Sequence, residues 1–301
     1  MLKKLDSYIK IIFEDMDKSY KNDINDSEIL YEDMTIAIVP GSFKPPHKGH
    51  WEMVMNYVNM KDVDKVIVLI SNISTKAISS RSISMTNLKF LGKIKSFIEK
   101  NDIHTDEIDE GLETIDKNID NMTYSMLDEI FAKKFIPSCD QNYANERKFI
   151  ELKVMITDYM NNLHDKLFKS IRKAGDFEIT PEISKEIFEI FANAYNVSDK
   201  VDIEVSESAS PITDTLGFVN YKCKNCTVLL GVSEKGGDQS RWNGIEKSIK
   251  NDTVKVIPSP VKVETMISAT DLRNNISNLK KEYFPNNLTN EDFNKIVELL
   301  K

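Results

Sequence analysis

Two short apolar runs, Met34–Val39 (MTIAIV) and Asp64–Ile70 (DKVIVLI), constrain the fold of this chain more than any other feature. Each is rich in branched aliphatic residues without polar alternation, which is typical of a strand buried on both faces of a sheet. Apolar residues at helical spacing predict a helix over Gly49–Asn59 between them. A strand, a helix and a second strand in that order predict a βαβ unit with a right-handed crossover.

Three later runs predict further buried strands over Val201–Val205, Thr227–Val232 and Thr253–Ile257. Five strands with intervening helices predict an α/β protein with a doubly wound, mostly parallel sheet. Ligands of such sheets bind beyond the carboxyl ends of the strands, where the strand order reverses. We therefore expect the functional residues in loops that follow strands, above all in the loop after Val39.

Residues 101–199 contain almost no strand-like runs, and their apolar residues recur at helical spacing, which predicts a large helical insertion. The predicted organisation is an N-terminal helix and connector over residues 1–33, the first half of the α/β domain over 34–100, the insertion over 101–199, and the second half with C-terminal helices over 200–301. Helices are predicted over Ser84–Lys100, Tyr124–Phe135, Arg147–Ile171, Glu182–Tyr195, Gly236–Asn251, from Ser268 onward and over residues 289–300, and a loop over Ser71–Ser82.

The loop after the first buried strand, Pro40–His50 (PGSFKPPHKGH), has the features of an anion site. Gly41 permits a sharp turn and the close approach of a ligand. The start of the following helix exposes unpaired N–H groups and the positive end of its dipole. His47 and His50 are three residues apart, so both side chains can point from one face of the first turn.

These features predict a cradle for a nucleoside triphosphate, in which two imidazoles donate hydrogen bonds to phosphate oxygens. Gly49 leaves room for a flat ring or a phosphate, and Lys44 and Lys48 add positive charge. The alternative is a helix start with two surface histidines. Metal binding is disfavoured, because no carboxylate lies near this pair of histidines.

Residues 41–50 resemble the G-x-F-x-P-x-H-x-G-H signature of the HxGH nucleotidyltransferase superfamily. This group includes adenylyltransferases for nicotinamide mononucleotide, phosphopantetheine and FMN, and cytidylyltransferases for glycerol 3-phosphate and choline phosphate. The resemblance extends over roughly residues 34–100 and 201–300. It is strongest to the cytidylyltransferase-like proteins of tailed phages and large viruses.

The resemblance implies a Rossmann-like fold and the transfer of AMP or CMP to a phosphate-bearing acceptor, with release of pyrophosphate. Mg²⁺ would bridge the phosphates, mostly through water. The catalytic residues implied are His47, His50, Lys44 and Arg273. The residues expected to bind the nucleotide are Gly41, Ser42, Phe43, Gly49, Gly231, Ser233, Lys235, Asp238, Ser268 and Thr270.

A second candidate anion site, Ile267–Arg273 (ISATDLR), follows a strand and opens a helix. Ser268 is suited to cap this helix, with Asp271 as its capping-box partner. The segment resembles the family's I-S-x-T-x-x-R motif, which holds the β- and γ-phosphates. A plain capped helix with a solvated Arg273 is the alternative. The preceding Val263–Met266 matches the R-T-x-G of cytidylyltransferases poorly, which favours ATP over CTP.

The loop that leaves the fourth strand is a third candidate site. It contains glycines, a lysine and an aspartate beyond a strand end, which suggests a contact with the substrate or the ribose. The alternative is a surface turn with Trp242 packed as core. The candidate residues of this loop are Gly231, Ser233, Lys235 and Asp238.

The three cysteines are too few for a disulfide framework, which favours a reducing, cytoplasmic location, or the host cytoplasm for a viral protein. Cys223 and Cys226 form half of a zinc site at most, with Cys139 far off in sequence, and a tight turn between strands is the favoured interpretation.

The net charge of −8 disfavours a non-specific nucleic-acid binder, because such proteins neutralise phosphates with clustered Lys and Arg. No apolar run approaches the length of a transmembrane helix, and residues 1–20 predict an amphipathic helix and not a signal peptide.

Two functions of different classes follow. The favoured one is a nucleotidyltransferase whose partners are a nucleoside triphosphate and a small phosphorylated acceptor such as nicotinamide mononucleotide, with a homo-oligomer formed through the insertion. The alternative is a nucleotide-binding structural or assembly module of a virus, with the same fold but no turnover. Chemistry like that of tRNA synthetases is disfavoured, because the chain is acidic and has no anticodon-binding module.

Overall fold

The computed structural model describes residues 30–142, 147–208, 210–234 and 242–301. The helix predicted over residues 1–20 lies outside these ranges. The chain forms two compact units. Among the described residues, one unit comprises residues 30–72 together with those of Lys173–Lys301, and the other comprises those of Ile73–Arg172.

Strands are numbered along the described residues. They are β1 (Tyr31–Glu32), β2 (Thr35–Gly41), β3 (Lys65–Ile70), β4 (Lys173–Ala174), β5 (Phe177–Glu178), β6 (Val201–Val205), β7 (Cys223–Lys224), β8 (Thr227–Ser233) and β9 (Lys255–Val261). Five of them form one parallel sheet in the order β6-β3-β2-β8-β9. The predicted doubly wound α/β fold is therefore confirmed. The strand order reverses between β2 and β8, which is where such sheets bind ligands.

The helices are α1 (Lys48–Val58), α2 (Thr75–Ser79), α3 (Met85–Lys100), α4 (Asp106–Lys117), α5 (Tyr124–Ile130), α6 (Ile136–Asn142), α7 (Arg147–Phe168), α8 (Pro181–Ala194), α9 (Pro211–Tyr221), α10 (Ala269–Asn274) and α11 (Asn290–Leu299). A π-helical turn over Phe131–Phe135 joins α5 to α6. Within the described ranges, no helix is both long and apolar enough to cross a membrane.

The sheet of the first unit has a hydrophobic core on each face. Alternate side chains of a strand point to opposite faces. Accordingly, Ala37 and Val39 lie in a core that also contains residues of α1 and α8. Ile36 and Ile38 lie in a second core that contains Val219 of α9. Both faces are covered, which explains why these strands are continuous apolar runs.

The second unit spans Ile73–Arg172, whereas the predicted insertion spans residues 101–199. The two ranges differ because helix α3 packs in the core of the second unit and helix α8 packs in the core of the first. Helix α3 buries Leu88 and Leu91 in the core of the second unit. Helix α8 buries Phe188 and Phe191 in the core of the first unit, on the sheet. Helical periodicity identifies an apolar face but not the core against which it packs.

Several predicted elements differ locally. Of the helix predicted over Gly236–Asn251, the described part contains only a 3₁₀ turn at Ile245–Ser248, which follows Gly244 in left-handed conformation (φ 77°). Strand β9 extends through two prolines beyond the predicted Ile257, which an edge strand tolerates. The predicted Ser71–Ser82 loop contains helix α2, and the insertion is followed by a β4–β5 hairpin.

Candidate functional site

The loop that leaves β2 is shaped by the side chain of Phe43. This residue has a left-handed backbone (φ 48°) and a buried ring. The ring packs edge-on against His50 and Phe188, with centroid distances of 5.0 and 5.2 Å. A Cβ atom on Gly41 would lie 2.5 Å from the Cζ atom of Phe43. Gly41 therefore makes room for this ring, and its expected contact with a nucleotide stays a prediction.

His47 caps helix α1, and the hydrogen bond of this cap determines which ring nitrogen carries the proton. The Nδ1 atom accepts a hydrogen bond of 3.1 Å from the backbone N–H of Gly49. Nδ1 therefore carries no proton, and the neutral ring carries its proton on Nε2, which is a donor. A Cβ atom on Gly49 would lie 3.2 Å from Cε1 of His47. The absence of a side chain at Gly49 therefore makes room for the imidazole ring of His47.

The two histidine rings are stacked, with centroids 3.7 Å apart and planes inclined by 27°. Burial lowers the pKa of His47 to about 4, although the Asp271 carboxylate acts in the opposite direction. Burial and the neighbouring His47 hold the pKa of His50 well below its usual range. Both rings are therefore neutral near pH 7. The Nδ1 atom of His50 is buried and has no hydrogen-bond partner among the described residues.

The second candidate motif forms a capping box at the start of α10, as predicted. The Oγ atom of Ser268 accepts from the backbone N–H of Asp271 at 3.1 Å, and the Asp271 carboxylate accepts from the backbone N–H of Ser268 at 3.1 Å. Ser268 also donates its hydroxyl to this carboxylate at 2.7 Å. These hydrogen bonds lower the pKa of Asp271. The turn is thus held in shape by its own side chains.

Arg273 joins the two motifs. Its Nη1 atom donates to the carbonyl oxygen of Lys44 at 2.6 Å, and its Nη2 atom donates to Oγ1 of Thr270 at 2.8 Å. The side chain of Lys44 is 1% exposed, so this predicted cation lies inside the protein and does not face solvent. Lys48 is half-buried and donates to Oδ1 of Asn286 at 2.9 Å. The loop after β2 and the start of α10 are therefore neighbours.

The third candidate loop is described only in part. Gly231 is buried within β8, where a Cβ atom would lie 2.8 Å from the carbonyl oxygen of Ile38 in β2. Gly231 therefore has a packing role between the two strands at the switch point, and its expected nucleotide contact stays a prediction. Ser233 ends β8, Ser42 is exposed after β2, and Lys235 and Asp238 lie outside the described residues. Trp242 is buried in the core, as its packing alternative predicted.

Two residues of α1, Tyr57 and Glu52, make long-range contacts that the sequence did not predict. The hydroxyl of Tyr57 accepts from the backbone N–H of Val232 at 3.2 Å and donates to the carbonyl oxygen of Ser259, which ties α1 to β8 and β9. Burial raises the pKa of Tyr57 to about 12. Glu52 accepts hydrogen bonds from the segment that precedes Ser268. Both contacts join residues remote in sequence, and nothing in the local pattern signals them.

The cysteine pair lies in a turn between strands. Cys223 belongs to β7, Cys226 directly precedes β8, and Asn225 between them has a left-handed backbone (φ 54°). All three cysteines are buried free thiols. Across the described parts of the chain, no cluster of three or more His, Cys, Asp or Glu side chains is placed to hold a metal ion.

Comparison with known proteins finds a short match to an adenylyltransferase. No family model matches the chain. A segment of 34 residues is 56% identical to part of a protein described as a probable nicotinate-nucleotide adenylyltransferase from Sulfurovum sp. (strain NBC37-1). The match covers 11% of this chain and 18% of that relative, well under two thirds of its length. It supports a relationship to nucleotidyltransferases in general.

Proposed function

We propose that this protein is a nucleotidyltransferase that transfers AMP from ATP, in preference to CMP from CTP, to a phosphate-bearing acceptor. The acceptor's phosphate attacks the α-phosphorus of the triphosphate, and pyrophosphate leaves. No covalent enzyme intermediate is involved. The alternative of a nucleotide-binding assembly module without turnover is decided by the assay below.

The observation that carries this proposal is the contact between Arg273 and the Lys44 carbonyl oxygen, at 2.6 Å. It brings a helix start with two stacked histidines next to a second, capped turn, beside the switch point of a parallel sheet. Ligands bind at such switch points, and helix starts favour phosphate groups. The match to an adenylyltransferase agrees with this arrangement.

His47 is suited to stabilise charge on the transferred phosphate. Its Nδ1 atom is occupied by the Gly49 N–H, so its Nε2–H group is the donor available to a phosphate oxygen. A donor held in place by a cap needs little rearrangement during the reaction, which is how preorganised sites lower a barrier. His50 stacks on this ring and fixes its plane.

Arg273 and Thr270 are suited to hold the leaving pyrophosphate. A guanidinium is a planar, permanently charged fork of N–H donors whose geometry matches phosphate oxygens. Its contacts with Lys44 and Thr270 hold this fork at the start of α10, beside the loop after β2. Mg²⁺ would arrive with the triphosphate as part of the substrate, since it is commonly bound through substrate phosphates and few protein ligands.

We further propose a pyridine mononucleotide as the acceptor. The relative is named for nicotinate nucleotide, and nicotinamide mononucleotide, a close chemical analogue, is the acceptor named with the favoured function in the sequence analysis. Preference for ATP agrees with the name of the relative and with the poor match of Val263–Met266 to the cytidylyltransferase pattern.

The test is an assay of released pyrophosphate, with ATP or CTP paired with nicotinate mononucleotide, nicotinamide mononucleotide, phosphopantetheine, FMN or glycerol 3-phosphate. We expect turnover with ATP and a pyridine mononucleotide, and a loss of at least about 100-fold in His47→Asn, the scale of removing one preorganised donor. His104→Asn, an exposed histidine of the other unit, is the matched control.

Turnover with none of these pairs would contradict the proposal. Nucleotide binding without turnover, together with a large assembly in sedimentation, would favour the assembly module instead.

A further inference from the structure

We propose that Glu52 is a positioning residue of the nucleotide site, whose carboxylate fixes the second motif against helix α1. This inference rests on the proposed function and deepens it. Glu52 lies two residues beyond His50 on α1 and is half-buried.

The Glu52 carboxylate accepts three hydrogen bonds from two consecutive residues. Its Oε1 atom accepts from the backbone N–H of Glu264 at 2.6 Å. Its Oε2 atom accepts from the backbone N–H of Thr265 at 3.0 Å and from the Thr265 hydroxyl at 2.6 Å. Hydrogen bonds to an ionised acceptor are shorter and stronger than neutral ones.

The segment held by Glu52 needs such an anchor. Residues 262–267 run from the end of β9 to the cap Ser268 and belong to neither a helix nor a strand. Their backbone groups thus lack the regular partners that a ladder or a helix supplies. Asn56, one turn after Glu52 on the same face of α1, donates to the carbonyl oxygen of Lys262 at 2.9 Å.

Glu52 connects this segment to the histidines. A Cβ atom on Gly49 would lie 3.4 Å from Cβ of Thr265, so Thr265 touches the first turn of α1 beside His47. Three residues after Thr265, the capping box of Ser268 begins. The Glu52 contacts therefore set the position of the leaving-group residues relative to His47, without a contact to the substrate itself.

Glu52→Gln tests this role. The amide has nearly the shape of the carboxylate, but its NH₂ group would face the N–H and hydroxyl donors of Thr265 or Glu264. We expect kcat/KM for ATP to fall about 10- to 100-fold, as for the loss of one or two charge-assisted hydrogen bonds, while KM for the acceptor changes less than about threefold. Glu298→Gln, an exposed glutamate of α11, is the matched control.

Thr265→Val is a milder companion variant, because it removes only the hydroxyl donor and leaves both backbone donors. It should lose activity in the same sense but less than Glu52→Gln, and Thr265→Ser should restore it. If Glu52→Gln does not fold, this pair of variants decides the matter: equal kinetics of Thr265→Val and wild type would overturn the inference.

The affinity for ATP, measured by titration calorimetry, separates this inference from the proposed function. With an active wild type, unchanged ATP kinetics in Glu52→Gln would overturn the role of Glu52 and leave the function intact. With a wild type that binds ATP without turnover, the enzyme proposal fails, and a Kd for ATP at least about tenfold weaker in Glu52→Gln would still support the positioning role. An equal Kd in that case, or no nucleotide binding by the wild type, would overturn it.

Discussion

Nη1 of Arg273 lies 2.6 Å from the carbonyl oxygen of Lys44, although the two residues are 229 positions apart in the chain. The same guanidinium holds Thr270 at 2.8 Å through Nη2. One planar side chain thus joins the loop after β2 to the first turn of α10. The geometry of the proposed triphosphate site depends on this link as much as on the histidines.

Replacing Arg273 by lysine should therefore impair the use of ATP. A single ammonium group cannot reproduce the fixed fork that bonds Lys44 and Thr270 together. We expect kcat/KM for ATP in Arg273→Lys to fall by about 10- to 100-fold in steady-state kinetics. Arg147→Lys, at a position that is 90% exposed in the other unit, is the control. Equal losses in both variants would contradict a specific role.

The buried histidines should make the folded state less stable in acid. The pKa of His47 is about 4 when folded, against 6.5 for an ordinary histidine, so below pH 6.5 the unfolded chain binds a proton that the folded chain does not. Stability is then complete above pH 6.5 and falls as the pH is lowered toward 4, by about 3 kcal/mol for His47. His50 acts in the same direction.

Urea unfolding across this pH range checks the effect. His47→Gln should unfold with a shallower dependence on pH than the wild type. His104→Gln is the matched control, because Asp109 raises the pKa of His104 and gives its contribution the opposite sign. If the free energy of unfolding of His47→Gln depends on pH as steeply as that of the wild type, His47 does not cause the loss of stability in acid.

Two glycines should respond to alanine in opposite ways. In Gly231→Ala the new methyl group would meet the Ile38 carbonyl oxygen at 2.8 Å, and crowding of this kind destabilises by about 1–3 kcal/mol. Gly92 lies within helix α3, and a Cβ atom there meets nothing within 4 Å. Gly92→Ala should stabilise by about 0.5–1 kcal/mol through helix propensity. Thermal unfolding of both variants measures this difference, and a stable Gly231→Ala would refute the packing role.

The features that local sequence determines were predicted well. All five predicted runs are strands of the sheet. In β2 and β3, burial on both faces requires continuous apolar side chains, whereas the edge strand β9 is mostly exposed or half-buried and not, as predicted, a buried strand. The cap at Ser268 was predictable because its partner, Asp271, is three residues away.

The features that were missed depend on contacts distant in sequence. Helix α8 has an amphipathic pattern like those of the insertion, but Phe188 and Phe191 pack on the sheet. Gly41 and Gly231 were predicted from their loop positions alone, and the sequence did not show that their missing side chains also make room for Phe43 and for β2. Glu52 is an ordinary polar residue of a helix, and only the fold brings Thr265 to it.

A crystal structure with a non-hydrolysable ATP analogue tests the central claim most directly. If His47 and the Ser268–Arg273 turn converge on one triphosphate, phosphate oxygens will lie within hydrogen-bond distance of Nε2 of His47 and of the Arg273 guanidinium in the same complex. A triphosphate bound elsewhere on the protein, or one that reaches only one of these two groups, would contradict the account.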